Sequence, residues 1–204
     1  ETLNFDADAV FNENKATASS TGTGNVIAYA GAIDTRSILN MSEDGTFTKN
    51  EVTGSTTGKG TVTVHGGAIR NAGTMTLGDA EDDKFTFTEN KATGSTKGAG
   101  DVTVLGGAIH NTKTATLNGS ASFEKNTISV KTEGDGEVLA GGGALSNAST
   151  LNINNGLIFK DNTVTAESTS TGAITAQGGA FYNTKTANMT GDVRFEGNTV
   201  TAKR

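Results

Sequence analysis

The sequence has no cysteine, no proline and no tryptophan among its 204 residues. Without cysteine, disulfide bonds, thiolate zinc sites and thiol catalysis are all excluded. Basic residues number 16 against 22 acidic ones and form no cluster, so the electrostatic footprint of a nucleic-acid-binding protein is missing. No apolar run approaches the roughly 20 residues of a membrane helix, and the longest, 26–33, is interrupted by Gly31. We therefore expect no nucleic-acid partner and no membrane span within this chain.

Large apolar side chains are also scarce. Leu, Ile, Val and Phe together make up about one fifth of the residues, close to the composition at which chains tend to be disordered. Disorder also requires a high net charge, and a formal charge of −6 over the whole length is small. Composition alone therefore does not decide whether the chain is ordered or disordered, and order has to be inferred from the pattern of residues along the sequence.

Two short motifs alternate along the whole chain. Phe-x-x-Asn recurs with a period of 36 residues, except for one interval of 40 that predicts a four-residue insertion in or near 78–83. Gly-Gly-Ala followed by Ile, Leu or Phe interleaves with it, and its first copy is degenerate. The motif residues are Phe11, Asn14, Phe47, Asn50, Phe87, Asn90, Phe123, Asn126, Phe159, Asn162, Phe195 and Asn198, with Gly31, Gly67, Gly107, Gly143 and Gly179 as the second glycines.

Between the motifs, apolar residues alternate with polar ones at the two-residue period of β-strands. Pairs such as Phe85 and Phe87, or Val62 and Val64, are predicted to point inward. No segment has the 3.6-residue apolar period that a helix requires. We therefore predict an all-β chain without helices.

A regular repeat of short strands predicts a right-handed parallel β-helix, or β-solenoid. A single 36-residue coil would have a perimeter of roughly 120 Å at about 3.3 Å per residue, enclosing a lumen too wide for small side chains to fill. We therefore expect each repeat to form two coils, giving about eleven coils in one domain over residues 1–204. Neither terminal coil has a polar cap, so the chain is expected to be a segment of a longer protein or an assembly subunit.

Each motif has a structural explanation within such a coil. Phe is expected to form an aromatic stack in the interior. Asn is expected to adopt the left-handed conformation where a strand ends, with its amide bonded to neighbouring coils. Gly-Gly allows a sharp bend, and the Ala that follows indicates a tight interior.

The alternation of Phe-x-x-Asn with Gly-Gly-Ala-[Ile/Leu/Val] over nearly the whole chain resembles the repeats of the chlamydial polymorphic membrane protein family. The resemblance implies a β-helical passenger displayed by an autotransporter, secreted to the bacterial surface and involved in adhesion. It assigns the six Phe residues and their paired Asn residues to the defining motif of that family.

The most variable segments follow each Asn at one offset, and we expect them to project from one side of the solenoid as a row of loops. Loops on a rigid scaffold are a common place for recognition, although permissive turns would give the same pattern. The candidate partner would be a receptor or glycan on a host or neighbouring cell. The candidate contact residues are Ser19, Thr21, Ser55, Thr57, Ser95, Lys97, Glu133, Asp135, Ser168 and Thr169.

Few residues break the repeat in a way that suggests chemistry. Asp79 and Glu81 to Asp83 form an acidic group in the insertion, which we interpret as a solvated loop. His65 and His110 occupy different offsets from their glycines, so we interpret them as surface residues without a shared metal site. A column of Thr and Ser at positions such as Thr93 would recur only every second coil, which disfavours ice binding. We expect no enzyme activity and no cofactor.

Two functions remain in competition. The first is a non-enzymatic extracellular adhesin or its stalk. The second is a filament subunit in which homo-oligomers form as unpaired terminal coils stack end to end.

Overall fold

The computed structural model describes residues 1–204, and it contains strands and turns but no helix. The chain winds through five full coils of five strands each and begins a sixth. The strands are β1 (Thr2–Phe5), β2 (Ala9–Asn12), β3 (Lys15–Ser20), β4 (Val26–Tyr29), β5 (Ile33–Thr35); β6 (Ile38–Met41), β7 (Gly45–Thr48), β8 (Glu51–Thr56), β9 (Val62–His65), β10 (Ile69–Asn71); β11 (Thr74–Leu77), β12 (Lys84–Thr88), β13 (Lys91–Thr96), β14 (Val102–Leu105), β15 (Ile109–Asn111); β16 (Thr114–Leu117), β17 (Ser120–Glu124), β18 (Thr127–Thr132), β19 (Val138–Gly141), β20 (Leu145–Asn147); β21 (Thr150–Ile153), β22 (Leu157–Lys160), β23 (Thr163–Ser168), β24 (Ile174–Gln177), β25 (Phe181–Asn183); β26 (Thr186–Met189), β27 (Val193–Glu196) and β28 (Thr199–Lys203).

Corresponding strands of successive coils pair in parallel and build five sheets along the solenoid. Sheet 1 contains β1, β6, β11, β16, β21 and β26; sheet 2 contains β2, β7, β12, β17, β22 and β27; sheet 3 contains β3, β8, β13, β18, β23 and β28. Sheet 4 contains β4, β9, β14, β19 and β24, and sheet 5 contains β5, β10, β15, β20 and β25. The all-β parallel solenoid with a 36-residue repeat and no helix is therefore confirmed.

The expected division of each repeat into two coils is wrong. Thr2 pairs with Ile38, and Leu157 pairs with Val193, so strands 36 residues apart are direct neighbours and each repeat makes one coil. The chain has about six turns rather than eleven. Both motifs lie in the same coil, with Phe-x-x-Asn between sheets 2 and 3 and Gly-Gly-Ala between sheets 4 and 5.

A waist across each coil explains how one long coil is filled. The second glycine of the Gly-Gly step touches backbone at the start of sheet 3: a Cβ built at Gly67 would lie 2.7 Å from the Lys91 nitrogen, and one at Gly143 would lie 2.9 Å from the Thr163 nitrogen. This backbone contact divides the interior into two lobes. The larger lobe, between sheets 5, 1 and 2, contains 24 buried residues, and the smaller lobe, between sheets 3 and 4, contains 14. Each lobe is narrow enough for Ala, Val and Leu to fill at protein packing density.

The phenylalanine side chains of the motif form a continuous stack in the larger lobe. Ring centroids of successive coils lie 4.6 to 5.1 Å apart, from Phe11 through to Phe195. Four of the six rings, those of the inner coils, are fully buried, whereas Phe195 in the last coil is 54% exposed. The stack adds aromatic contact energy to the burial of apolar area in every coil.

Two asparagine ladders flank the larger lobe. In the first, the Oδ1 atom of Asn90 accepts hydrogen bonds from the backbone N–H and the Nδ2 of Asn50, at 3.0 and 2.9 Å. In the second, Asn71 donates to Asn111 and Asn111 donates to Asn147, each at 2.7 Å. These ladders satisfy polar backbone groups in the interior, which would otherwise be costly to bury.

The left-handed residue at this turn is not the Asn but the residue before it. Lys49, Glu89 and Lys125 have φ angles of 53°, 55° and 53°. The expectation that Asn itself adopts this conformation is therefore wrong. With the preceding residue making the bend, the Asn side chain is free to face the interior and join the ladder.

The insertion lies between β11 and β12, where the pairing offset changes from 36 residues (Leu39 with Met75) to 40 (Gly45 with Phe85). The Asp83 carboxylate accepts hydrogen bonds from the backbone N–H groups of Asp79 and Ala80, both at 2.9 Å, and Asp83 is only 7% exposed. The four-residue insertion is therefore a closed turn folded around Asp83. The structure contains no helical segment that could span a membrane.

Candidate binding surface

The turns between sheets 3 and 4 stack into one continuous ridge at the outer edge of the smaller lobe. We call this the turn ridge, comprising residues 21–25, 57–61, 97–101, 133–137 and 169–173. Four of the five turns begin with a side-chain cap, as in the Gly98 N–H that donates to the Thr96 hydroxyl at 3.1 Å. A Cβ at Gly98 would lie 1.8 Å from the Gly58 carbonyl oxygen, so the turns are in close backbone contact. The predicted row of loops is therefore a row of short, tightly stacked turns.

The candidate contact residues divide between three environments. Thr21, Thr57, Lys97, Glu133 and Thr169 are exposed and occupy equivalent positions at the start of each turn, and Asp135 is exposed in the middle of the fourth turn. Ser19, Ser55 and Ser95 lie on the outer face of sheet 3, where Ser19 pairs with Ser55 and Ser55 with Ser95. Ser168 is buried, and its hydroxyl accepts a hydrogen bond from the Ser170 N–H at 3.2 Å. Their contact with a partner stays a prediction.

Charge changes sign along the turn ridge. Lys59 and Lys97 are exposed in the second and third turns, and acidic side chains follow from the end of the third turn through the fourth. Asp101 accepts a hydrogen bond from the Glu137 N–H at 2.8 Å, so two of these carboxylates are held next to each other. A shallow recess of about 300 Å³ lies beside them and includes Leu139 and Thr175. The ridge thus presents a rigid, periodic and electrically polar surface.

A second recess, of about 370 Å³, lies on the outer face of sheet 2. Small side chains, Ser120 and Ser122, form its floor together with Ile158, which is 42% exposed. Lys84 and Arg194 lie at the two ends of the recess, three coils apart. Sequence reasoning did not single out this surface, because small residues at outward positions leave no motif.

An acidic corner lies next to that recess, where sheets 1 and 2 meet. The insertion brings Asp79 and Asp83 close to Glu43, and partial desolvation together with these and other carboxylates raises the pKa of Glu43 above its ordinary value. No group of three or more His, Asp or Glu side chains is arranged to hold a metal ion. The corner is therefore a region of unneutralised negative charge.

The interpretation of the two histidines as separate surface residues is wrong. His65 ends β9 and His110 is central in β15, and their ring centroids lie only 4.2 Å apart. His110 is 2% exposed, although it points away from both lobes. The positions two before and three after the second glycine of the motif face each other across the bend. This contact could have been inferred if both motifs had been placed in one coil, because equivalent positions of successive repeats are then direct neighbours.

Comparisons with known proteins give a family match for one segment of the chain. No curated protein sequence and no solved structure matches the chain significantly. Residues 84–112, from the start of β12 to just beyond β15, match the family model of the Chlamydia polymorphic membrane protein repeat. That segment contains one Phe-x-x-Asn motif and one Gly-Gly-Ala motif, so it spans both sides of the waist in a single coil.

Proposed function

We propose that the chain is part of a non-enzymatic extracellular β-helical surface protein, an adhesin or adhesin stalk of the autotransporter-passenger type. The observation that carries the proposal is the match of residues 84–112 to the Chlamydia polymorphic membrane protein repeat, within a solenoid whose second to fifth coils each contain the same two motifs. The same match supports the surface location in this proposal, on the bacterial outer membrane or outside the cell.

The architecture suits a display role. The ladders and the phenylalanine stack join each coil to the next, so the chain forms a stiff body, and residues on the turn ridge recur at the strand spacing of about 4.8 Å. A partner that contacts several turns at once would gain affinity from many weak contacts held in fixed positions. The partner in this proposal is a receptor or glycan on a host or neighbouring cell.

Binding of purified residues 1–204 to cultured epithelial cells, measured by flow cytometry, tests this function. The first variant replaces Lys97, Glu133 and Asp135 by Ala, all exposed on the turn ridge. The control variant replaces Thr74, Thr114 and Thr186 by Ala on the outer face of sheet 1, distant from the ridge along the coil. We expect saturable binding that falls at least tenfold in the ridge variant and is unchanged in the control. Saturable binding unaffected by the ridge variant would remove the ridge from the proposal, and no saturable binding to any cell type would contradict adhesion.

A second candidate is a filament subunit, in which one copy stacks on the next. Leu3 in the first coil is 45% exposed and Phe195 in the last coil is 54% exposed, so both terminal coils of residues 1–204 present apolar edges. Because each repeat is one coil, the isolated chain would measure only about 30 Å along its axis at about 4.8 Å per coil. Negative-stain electron microscopy over a concentration series distinguishes the two candidates. Fibres one solenoid wide favour assembly, and isolated particles that extend only about 30 Å along the solenoid axis favour coverage of the ends by further coils.

A further inference from the structure

The outer faces of sheets 4 and 5 meet at the Gly-Gly bend and form a cleft along the waist, which we call the waist cleft. Its walls are the outward side chains nearest the bend. Sheet 4 contributes Tyr29, His65, Leu105, Gly141 and Gln177, and sheet 5 contributes Asp34, Arg70, His110, Ser146 and Tyr182.

Side chains of sheet 5 lie over sheet 4 residues of the preceding coil. The Arg70 guanidinium lies 4.0 Å from the centre of the Tyr29 ring, and the His110 ring lies 4.2 Å from the His65 ring. His65 also stacks on Tyr29, with 5.4 Å between ring centroids. The cleft is therefore closed by its own side chains, and the two imidazoles occupy its centre.

The polar groups in this cluster are poorly satisfied. The structure has four buried side-chain nitrogen or oxygen atoms without a hydrogen-bond partner, and three of them are the Nδ1 atoms of His65 and His110 and the Nε atom of Arg70. Buried polar groups without partners are uncommon in folded proteins and frequently mark strained or functional positions. Here they lie between sheets 4 and 5 in the second and third coils.

The charges around the imidazoles oppose protonation. Arg70 faces them, and the one carboxylate on the cleft walls, Asp34, is already paired with Arg70 at 2.8 Å and with Arg36 at 3.5 Å. The other neighbours, Tyr29, Leu105 and Ser146, contribute no carboxylate. A protonated imidazole would therefore face a second cation without a free counterion.

We propose that the His65–His110 pair is a proton-operated latch that keeps the waist cleft closed when both imidazoles are neutral and opens it locally when they take up protons. Opening would separate the outer side chains of sheets 4 and 5 in the second and third coils. The phenylalanine stack and the asparagine ladders lie in the lobe interior and would stay in place. The latch would thus change one surface of the solenoid without unfolding it.

Two physical effects on the histidines agree with this geometry. Burial, with a smaller contribution from Arg70, lowers the pKa of His65 from 6.5 to about 4. Burial, then His65 and then Arg70 lower the pKa of His110 well below 6.5. Because the charged form is disfavoured in the closed cleft, proton uptake favours the open form, and the closed form is fully stable only above about pH 6.5.

The tyrosines supply a specific probe. The chain has two Tyr and no Trp, and both Tyr29 and Tyr182 lie in the waist cleft, so intrinsic fluorescence reports on this cleft alone. We would titrate residues 1–204 from pH 8 to pH 4 and record tyrosine emission and far-UV circular dichroism together. The Tyr182→Phe variant isolates the signal of Tyr29, which stacks on His65. The matched variant is His65→Phe with His110→Phe, in which aromatic rings remain and the proton sites do not.

We expect a reversible change in tyrosine emission between pH 6.5 and pH 4, with unchanged circular dichroism, that disappears in the double variant. An identical emission change in the double variant would overturn the proposal, as would a change that coincides with loss of the β-sheet signal. NMR titration of the two imidazoles in the unmutated chain gives a check that depends on no variant. Imidazole pKa values near 6.5 for both residues would also overturn it.

Discussion

Replacement of one interior asparagine should destabilise the solenoid far more than the same replacement at the start of the ladder. Asn90 is fully buried, and its side chain makes four hydrogen bonds of 2.9 to 3.0 Å. It accepts from the backbone and side chain of Asn50 and donates to the Phe47 carbonyl and to Asn126. Asn14, by contrast, is exposed and its side chain makes one such bond, to Asn50 at 2.8 Å.

The magnitude follows from the groups left without partners. Asn90→Ala leaves the Asn50 backbone N–H and one Asn50 Nδ2 hydrogen without an acceptor in a site closed to water. Each buried orphan costs about 1 to 3 kcal/mol, so we expect a loss of roughly 3 to 5 kcal/mol. Asn14→Ala leaves the Asn50 Oδ1 atom with its bond from the Asn14 backbone and should cost under about 1 kcal/mol.

Urea unfolding followed by far-UV circular dichroism measures both variants under the same conditions. The difference between the two free energies of unfolding, rather than either value alone, is the informative quantity. Losses of equal size below about 1 kcal/mol would refute the claim that the ladder satisfies interior backbone groups.

Three further predictions follow from burial, close approach and charge. Phe87→Ala should lower the free energy of unfolding by roughly 3 to 5 kcal/mol, because the ring is fully buried in the stack. Thr93→Ala, on the outer face of sheet 3, should lower it by less than about 0.5 kcal/mol. Thermal unfolding of both variants compares the two losses. Gly67→Ala should disrupt both the waist and the stacking of coils, since its Cβ would lie 2.7 Å from the Lys91 nitrogen across the waist and 1.9 Å from the Gly107 carbonyl oxygen of the next coil. Gly22→Ala meets no atom within 4 Å and should leave the melting temperature unchanged or slightly raised. The pKa of His65, about 4 instead of 6.5, favours its neutral form in the folded protein. The free energy of unfolding should therefore fall by roughly 3 kcal/mol as the pH drops from 6.5 to about 4. The difference between the pH profiles of unfolding free energy for wild type and His65→Gln should isolate this effect.

The sequence was sufficient to predict the strand pattern, the 36-residue period and the place of the insertion. These features depend on spacing along the chain, and alternation at positions such as Phe85 and Phe87 fixes which face is buried. The number of coils per repeat was predicted wrongly because the perimeter argument assumed a round cross-section. The waist depends on contact between Gly67 of one motif and Lys91, which directly follows the other motif and is 24 residues away, so spacing within either motif does not reveal it.

The same error affected the candidate sites. With one coil per repeat, the column through Thr53, Thr93 and Ser129 occupies adjacent strands rather than every second one, so the spacing argument against an ordered hydroxyl array no longer applies. The histidines were assigned to the surface for a related reason. Their contact requires the chain to fold back at a Gly-Gly step and the side chains to lean by one coil, as His110 does over His65. The offsets from the second glycine indicate this contact only once each repeat is known to form a single coil.

The claim that each repeat forms a single coil with a waist is tested most directly by one distance. The chain has no cysteine, so spin labels can be placed at Ile38→Cys and Thr186→Cys, which are equivalent exposed positions in sheet 1 separated by four coils. Double electron–electron resonance should give a distance of about 19 Å between the labelled positions, at about 4.8 Å per coil. A distance of about 38 Å would mean two coils per repeat and would contradict the waist, the single-coil register and the histidine contact together.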